Sequence, residues 1–517
     1  LPRAPVGARD AQRLVLATRH PELLAAARAT AALQRPGGGT AARLSAARAW
    51  VGMGRLREAL GLPLPGAEET AREAVRWMGM VIDEDGLIAW WPGAEGSVSL
   101  TAWAVHLDAE LREAGHPTDP ELTARMVAAL QRSLRSDDRR LVEGAAWLER
   151  VRALSALSAA GRTDEAYLAE AARAAPQLGA EGIAEVLLAA AQAGQVNTAT
   201  TRELVEALIG RARFTLRSGV EVFDGLESML SARPSRLLAS EARSLAEMIR
   251  ALSRQQPDHP RLPALTDALL ARTTPTGWGD PAADAAALLA LHDLARRAPT
   301  ASPATLSLTV GEATSELALG DGAAHATVSG ALPARIALTA GTGPVTVATT
   351  LRYTPAQPGS EAEAISEGFV VRRDVTILTA DGTERDRQEL RSGGSVLTLE
   401  TGELVEEHLQ LISPATRDHV MLAVPLAAGI EPMNPRLATA PPEASPRGRT
   451  SIRPDYTDWR DDQVVFYFTS LPQGTWDLYF RTRAATPGRF SQPPARAALE
   501  FSPEVHGRSA GALVVIE

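Results

Sequence analysis

The sequence contains no cysteine and no lysine, so all 53 of its basic residues are arginine. Without cysteine the chain can form no disulfide, no thiolate metal site and no thiol nucleophile. That absence suits an oxidising envelope compartment, although some cytosolic proteins share it. The exclusive use of arginine fits a GC-rich genome rather than a mechanism. Aromatic residues are scarce at 4%, so Leu, Val and Ala must fill most of the core. Positive charge is also in deficit. The net charge of −9 argues against a nucleic-acid partner, which needs a basic face. No apolar run reaches the roughly 18 residues that a membrane-spanning helix requires. No signal peptide is recognisable either, and a start at Leu1 instead of Met leads us to expect a mature form or a fragment.

What the chain does have is length, 517 residues with 45% apolar content, which predicts two to four domains. Up to about residue 298 the apolar spacing is helical. Segments 66–82, 97–115 and 119–134 place apolar residues at i, i+3, i+4 and i+7. Punctuation recurs every 15 to 25 residues, at Gly-His-Pro (115–117), Gly-Arg-Thr-Asp (161–164) and Asn-Thr (197–198). This predicts about twelve helices, paired as a solenoid or closed into an α/α toroid. Within them FTLRSGVEVFDGL (214–226) alternates around Ser-Gly and reads as a β-hairpin. After Pro299 the period changes to two, in TLSLTV, HATVSG, RIALTA and VTVATTLRY, and a second β-block runs from about Ala362 to Glu517. The fold expected is therefore multidomain α and β: a helical domain (1–298), a small β domain (299–361) and a larger antiparallel β-sandwich (362–517).

Candidate chemistry is thin. DEDGLIAWWPG (83–93) could bind a cation or perform acid chemistry, and a toroid with central acids would suit a glycosidase or terpene cyclase. Equally, DEDG is a turn and the Trp pair packs a loop onto helices. Glycoside cleavage needs a second carboxylate across a cleft, and no residue stands out as one. The nine histidines form no HxH or HxxxH pair, so neither a metal nor another cofactor is indicated. His106 and His292 fall on helical patterns and read as core or boundary residues. GRSAG (507–511) matches GxSxG, but the β-run ALVVIE follows it where a nucleophile elbow needs a helix. PGGGTAAR (36–43) could be a phosphate cradle or a helix cap. It lacks a P-loop lysine and a preceding strand.

The stretch RDDQVVFYF (460–468), continued by LPQGTWDLYFRTRAATPGRFSQPPARAALEFSPEVHGRS (471–509), carries a resemblance. It resembles the C-terminal macroglobulin-like domain of bacterial alpha-2-macroglobulins, whose pattern is Arg-Asp-Asp-Arg, an aromatic strand, Arg-Ala-x-Thr-Pro-Gly-x-Phe, Pro-Pro and Pro-Glu-x-x-Gly-Arg. Gln463 departs from the last Arg of the first element. EGFVVRRDV (367–375) and GIEPMNPRL (429–437) are similar to the same domain. DGLIAWWPG (85–93) with SLTAWAVHLD (99–108), and ARTTPTGWGDPAADAAALLALHDL (271–294), resemble the family's thioester-containing helical domain.

The resemblance implies an α/α toroid, a CUB-like β domain and a terminal sandwich, following upstream macroglobulin-like domains of the same protein. In thioester-bearing members a Cys–Gln bond acylates a trapped protease. The family motif Gly-Cys-x-Glu-Gln aligns on Gly38–Ala42, with Gly39 where Cys would stand and Ala42 where Gln would stand. A chain without cysteine cannot form that bond. The resemblance therefore implies a non-enzymatic, thioester-less protein of the periplasm or extracytoplasmic envelope that binds or entraps proteases. The alternative is a scaffolding protein of an envelope assembly, with envelope proteins as partners. In the terminal sandwich the alternation puts Phe466, Phe468, Trp476, Leu478 and Phe480 inward. The resemblance further implies an interdomain lock at residues 476–480, with Tyr479 as the candidate and Trp476 in support.

Overall fold

The computed structural model describes residues 9–20, 23–26, 38–60, 66–135, 140–142, 144–217, 219–227, 240–274, 277–296, 303–320, 323–329, 334–342, 345–354, 362–379, 381–392, 394–502 and 504–517. The chain divides into two compact units, Leu1–Thr354 and Pro355–Glu517.

The helices begin and end where small polar and glycine residues dictate. Gly115, Gly161 and Gly194 adopt positive φ (76°, 71° and 75°), the left-handed conformation that stops a helix, and Asn197 (53°) adopts it just before a new helix begins. The next helix then starts on a side-chain cap: Asp119 accepts from the backbone N–H groups of Glu121 and Leu122, Asp164 from those of Ala166 and Tyr167, and Thr198 from that of Thr201. Six helices form an inner ring: α1 (Thr40–Leu60), α3 (Val98–Glu113), α5 (Ala146–Ala159), α7 (Ala180–Gln192), α9 (Glu241–Gln255) and α11 (Pro281–Ala295). Each packs on the next, and α11 returns to α1, which closes the ring. Between them sit the outer helices α2 (Ala67–Val81), α4 (Pro120–Ser133), α6 (Glu165–Arg173), α8 (Ala199–Ile209) and α10 (Leu262–Ala271). The outer helices α4 and α6 bury one stripe only, whereas α11 is buried continuously from Ala282 to His292. Of the two arrangements the helical spacing allowed, a solenoid or a toroid, the described helices form the toroid.

Strand β1 (Arg9–Thr18) precedes the helices, within the stretch 1–298 expected to be helical. The hairpin predicted at 214–226 is present as β2 (Ala212–Arg217) and β3 (Val220–Leu226). The small β region contains β4 (Ala304–Val310), β5 (Ala313–Leu319), β6 (Ala323–Ser329), β7 (Ala334–Ala340) and β8 (Thr346–Thr354). Its two sheets run β6-β1-β8 and β5-β4-β7, with β1 at the centre of the first. Val15 and Ala17 of β1 share a core with Leu306, Leu308, Leu317 and Leu319. The N-terminal strand thus supplies the middle of a sheet whose other strands lie some three hundred residues on.

The second unit comprises β9 (Ile365–Glu367), β10 (Val370–Leu378), β11 (Glu384–Glu389), β12 (Ser395–Leu399), β13 (Leu404–Ser413), β14 (Arg417–Pro425), β15 (Ile430–Met433), β16 (Tyr456–Trp459), β17 (Gln463–Leu471), β18 (Gly474–Ala484), β19 (Gly488–Gln492), β20 (Arg496–Leu499), β21 (His506–Arg508) and β22 (Ala512–Ile516). A five-stranded sheet, β11-β10-β13-β18-β15, shares one core with the six-stranded sheet β16-β17-β14-β20-β21-β9. Beside that core, a second one joins it to the three-stranded sheet β12-β22-β19. The alternation read from the sequence holds: Phe466, Phe468, Leu478 and Phe480 are core residues and Trp476 packs against them. One pair, β12 with β22, is parallel.

Candidate functional site

Gly39 immediately precedes α1 and Ala42 lies in its first turn, and both are buried. Gly38 just before them has φ 123°, a conformation that a Cβ would strain. Thr40 then anchors the turn. Its backbone N–H and its hydroxyl both donate to the Trp90 carbonyl, at 3.2 and 2.7 Å. The same hydroxyl accepts from Nε1 of Trp77 at 2.9 Å. Arg43 folds back, its Nε donating to the Gly38 carbonyl at 3.2 Å and its guanidinium lying 4.0 Å from the Trp77 ring centroid. No side chain in this turn is a nucleophile held ready. The Thr40 hydroxyl is committed on both sides, and Gly39 and Ala42 offer no functional group. Pro36 and Gly37 lie outside the described residues.

The DEDG segment behaves as a turn. Asp83 accepts from the N–H groups of Leu87 (2.8 Å) and Gly96 (3.1 Å), so its two oxygens close the loop at both ends. Arg140 pairs with Asp83 at 3.4 Å and with Asp85 at 2.5 Å. Trp90 and Trp91 are buried, and Trp90 is the residue whose carbonyl holds Thr40. The paired tryptophans therefore pack a loop that supports the start of α1. In GRSAG, Ser509 is 1% exposed and its hydroxyl accepts from the Ala495 N–H, so no exposed serine elbow exists there.

Strand alternation sends Trp476 and Tyr479 of β18 to opposite faces. Trp476 packs against the sandwich core and donates from Nε1 to the Pro472 carbonyl at 2.9 Å. Tyr479 projects from the other face, directly opposite His408 of β13 in the register. The two rings stack with centroids 4.4 Å apart and planes 7° from parallel. His408 is itself gripped at both nitrogens, by Asp374 at 3.1 Å and by Asp477 at 2.8 Å. Burial pulls the imidazole pKa down, but the bonds and charges of the two carboxylates outweigh it and hold it above its ordinary value. Burial, reinforced by Asp477, likewise raises the Tyr479 phenol. Beyond the ring, a Cβ added to Gly448 would fall 2.1 Å from Tyr479 Cδ1, so glycine lets the 447–450 segment lie against it. Glu406 pins that segment by accepting from the N–H groups of Arg447 and Gly448. His408 and Asp374 do not stand out in the sequence. The only signal was the alternation of LVEEHLQLIS, which places His408 on the polar face of a strand.

Among the described residues no group of three His, Asp or Glu is arranged to hold a metal ion, and no helix is long and apolar enough to cross a membrane.

Comparison with known proteins finds a family match within the second unit. Residues 368–504 match the bacterial alpha-2-macroglobulin MG10 domain. The alpha-2-macroglobulin homolog of Nostoc sp. is 29% identical over 121 residues, which is 23% of this chain and 6% of that protein. Salmonella alpha-2-macroglobulin reacted with methylamine superposes with a TM-score of 0.73 at 19% identity, over 99% of this chain and 32% of that one. Native Escherichia coli alpha-2-macroglobulin, in a structure spanning domain MG7 to the C-terminus, gives a TM-score of 0.73 at 17% identity, over 100% of this chain and 78% of that one. The chain thus spans about a third of the Salmonella protein and matches a still smaller part of the Nostoc one. Residues 368–504 carry a bacterial alpha-2-macroglobulin MG10 domain, and the chain as a whole has the fold of the C-terminal part of a bacterial alpha-2-macroglobulin.

Proposed function

We propose that this chain is the C-terminal portion of a thioester-less bacterial alpha-2-macroglobulin, a non-enzymatic protein of the periplasm or outer envelope that entraps proteases without a covalent bond. The observation that carries this reading is the turn at Gly39–Ala42. It keeps the buried, Thr40-anchored entry into α1, while the sequence supplies no cysteine to react there. The test uses the full-length protein with a serine protease and, separately, with methylamine. The protease should stay active on a small peptide substrate and lose activity on a large protein, with no adduct surviving denaturation. Methylamine should leave the mass unchanged. A methylamine adduct would overturn the thioester-less assignment, and failure to shield any protease would overturn entrapment.

Tyr479 is the residue we assign as the interdomain lock, in place of the pair, because Trp476 is engaged with its own core. Its support is the platform beneath the ring, built from His408, Asp374 and Asp477. A Tyr479→Ala variant of the full-length protein should change the solution scattering profile and its sensitivity to limited proteolysis. Identical profiles would refute the lock.

A further inference from the structure

The backbone around Tyr479 is tied down within its own unit. The Tyr479 N–H donates to Thr450 Oγ1 at 3.2 Å, and the Asp477 N–H donates to Ser451 Oγ at 2.7 Å. In return the Ser451 N–H donates to the Asp477 carbonyl at 2.9 Å. Gly448 of the same segment lies against the Cγ–Cδ1–Cε1 edge of the ring. The face of the ring rests on His408, stacked 4.4 Å away and within 7° of parallel. The imidazole is therefore the seat of the phenol ring.

That seat depends on a proton. Nδ1 of His408 lies 3.1 Å from Asp374 Oδ2, and Nε2 lies 2.8 Å from Asp477 Oδ1. Ionised carboxylates only accept, so both contacts are hydrogen bonds only when both ring nitrogens carry hydrogen. The neutral ring keeps one N–H and turns a lone pair towards the other carboxylate. It also gives up the attraction of a cation for the phenol face. Burial opposes the charge on His408, but its bonds to Asp374 and Asp477 outweigh burial and hold its pKa above the ordinary value. The neighbouring groups do not titrate with it. On this face Arg481 is spent on Glu406 at 3.1 Å, and Arg372 on Gln410 at 3.3 Å. Strand β11 brings Glu389 opposite Asp374 and Arg387 opposite Thr376, and the covering segment brings Arg447 and Arg449. All of these are carboxylates, guanidiniums or an amide, and burial raises the Tyr479 phenol further from neutrality. Imidazole is the side chain among them whose ordinary pKa lies between pH 5 and 8.

We infer that His408 is a positioning residue for Tyr479 and makes the lock sensitive to pH: the imidazolium, strapped between Asp374 and Asp477, seats the phenol ring, and loss of its proton unseats it. The inference rests on the reading of Tyr479 as the interdomain lock. A seated ring enters its docked state with little ordering left to do, whereas an unseated one must first be ordered at the expense of docking. The coupling is reciprocal, so a docked and seated Tyr479 also helps His408 to keep its proton. The sign follows. The raised value belongs to the seated state, so docking is complete below the ordinary imidazole value of about 6.5 and weakens as pH rises through the seated one.

The test uses the full-length protein, with solution scattering and limited proteolysis recorded from about pH 6 to about pH 9. The wild type should differ from Tyr479→Ala at the acid end and converge on it at the alkaline end. Tyr479→Ala and His408→Gln should each keep one profile throughout. A single linked proton changes the opening constant by at most about tenfold per pH unit, so the change should be gradual and should level off once His408 is neutral. Exchange of the histidine C2 hydrogen, followed by mass spectrometry, reads the His408 titration in the unmodified protein, and both changes should occupy the same pH interval. In Tyr479→Ala that titration should move to lower pH. A wild-type profile that ignores pH, beside a distinct Tyr479→Ala profile, would keep the lock and overturn its pH sensitivity. The same pH response in His408→Gln, or a His408 titration outside the interval of the conformational change, would overturn it as well. Tyr479→Ala matching the wild type at the acid end would refute the lock, and this inference with it. The exchange readout needs no variant, so misfolding of His408→Gln does not rescue the proposal.

Discussion

Replacing Arg373 by Met should be among the most damaging single changes in the terminal sandwich. Arg373 is 1% exposed on β10, on the same face as Val371 and Val375. It pairs with Glu407 through two near-parallel bonds, Nε to Oε2 at 2.9 Å and Nη2 to Oε1 at 2.8 Å. Its remaining arm, Nη1, donates to the carbonyls of Pro425 and Pro493 at 3.2 and 3.3 Å. Methionine fills much of the volume, so the loss is electrostatic. Glu407, itself 1% exposed, would be left as a buried charge without a partner. Breaking such a pair costs about 3–5 kcal/mol. In a domain of 150–250 residues each kcal/mol lowers the midpoint by about 2–4 °C, which gives a fall of roughly 6–20 °C. Adding Glu407→Leu should return most of it, because removing both charges together leaves no orphan. Differential scanning calorimetry is the assay, since the two compact units need not melt together. If the double variant is as unstable as Arg373→Met alone, or the single variant loses less than about 1 kcal/mol, the reasoning about an unpaired buried charge is wrong.

Thr40→Val removes the hydroxyl that joins Trp77 to the Trp90 carbonyl and takes away the acceptor that Trp77 Nε1 uses. A loss of about 1–3 kcal/mol in the helical transition, with a changed near-ultraviolet tryptophan signal, should follow. Valine without either effect would mean that the turn into α1 is held by other contacts. His408→Gln should matter in a pH-dependent way. The folded-state pKa of His408 is raised, so its contribution is complete below the unfolded value of about 6.5 and fades as pH rises through the folded value. The gap in melting temperature between the two proteins should therefore shrink on moving from about pH 6 to about pH 9, and a gap that widens would contradict the imidazolium between Asp374 and Asp477.

Local signals in the sequence located most of the elements. Gly115, Gly161 and Asn197 punctuate the helices because they adopt left-handed backbone that few other residues tolerate, and the caps after them are short polar side chains. The strands of the terminal sandwich were legible because Phe466, Phe468, Leu478 and Phe480 alternate with polar neighbours. Strand β1 was not, because its partners, β6 and β8, come after the whole toroid, and ten residues bordering a helical pattern carry little periodicity of their own. The ionic lining of the toroid was equally invisible. Arg48 and Glu110 are 62 residues apart and meet only because α1 and α3 are neighbours in the ring. The Tyr479 platform failed for the same reason, since His408 and Asp477 come from strands whose pairing no local rule fixes.

Two buried arginines show how unevenly a structural ion pair can be satisfied. Arg373 and Arg48 are equally buried, and each makes a two-pronged bond to one glutamate. Arg373 also spends its third nitrogen on two backbone carbonyls, so the protein alone satisfies it. Arg48 leaves its third nitrogen buried without a hydrogen-bond partner. Both arrangements bear the desolvation cost of a buried charge, yet only one leaves part of that cost unrecovered in the folded chain.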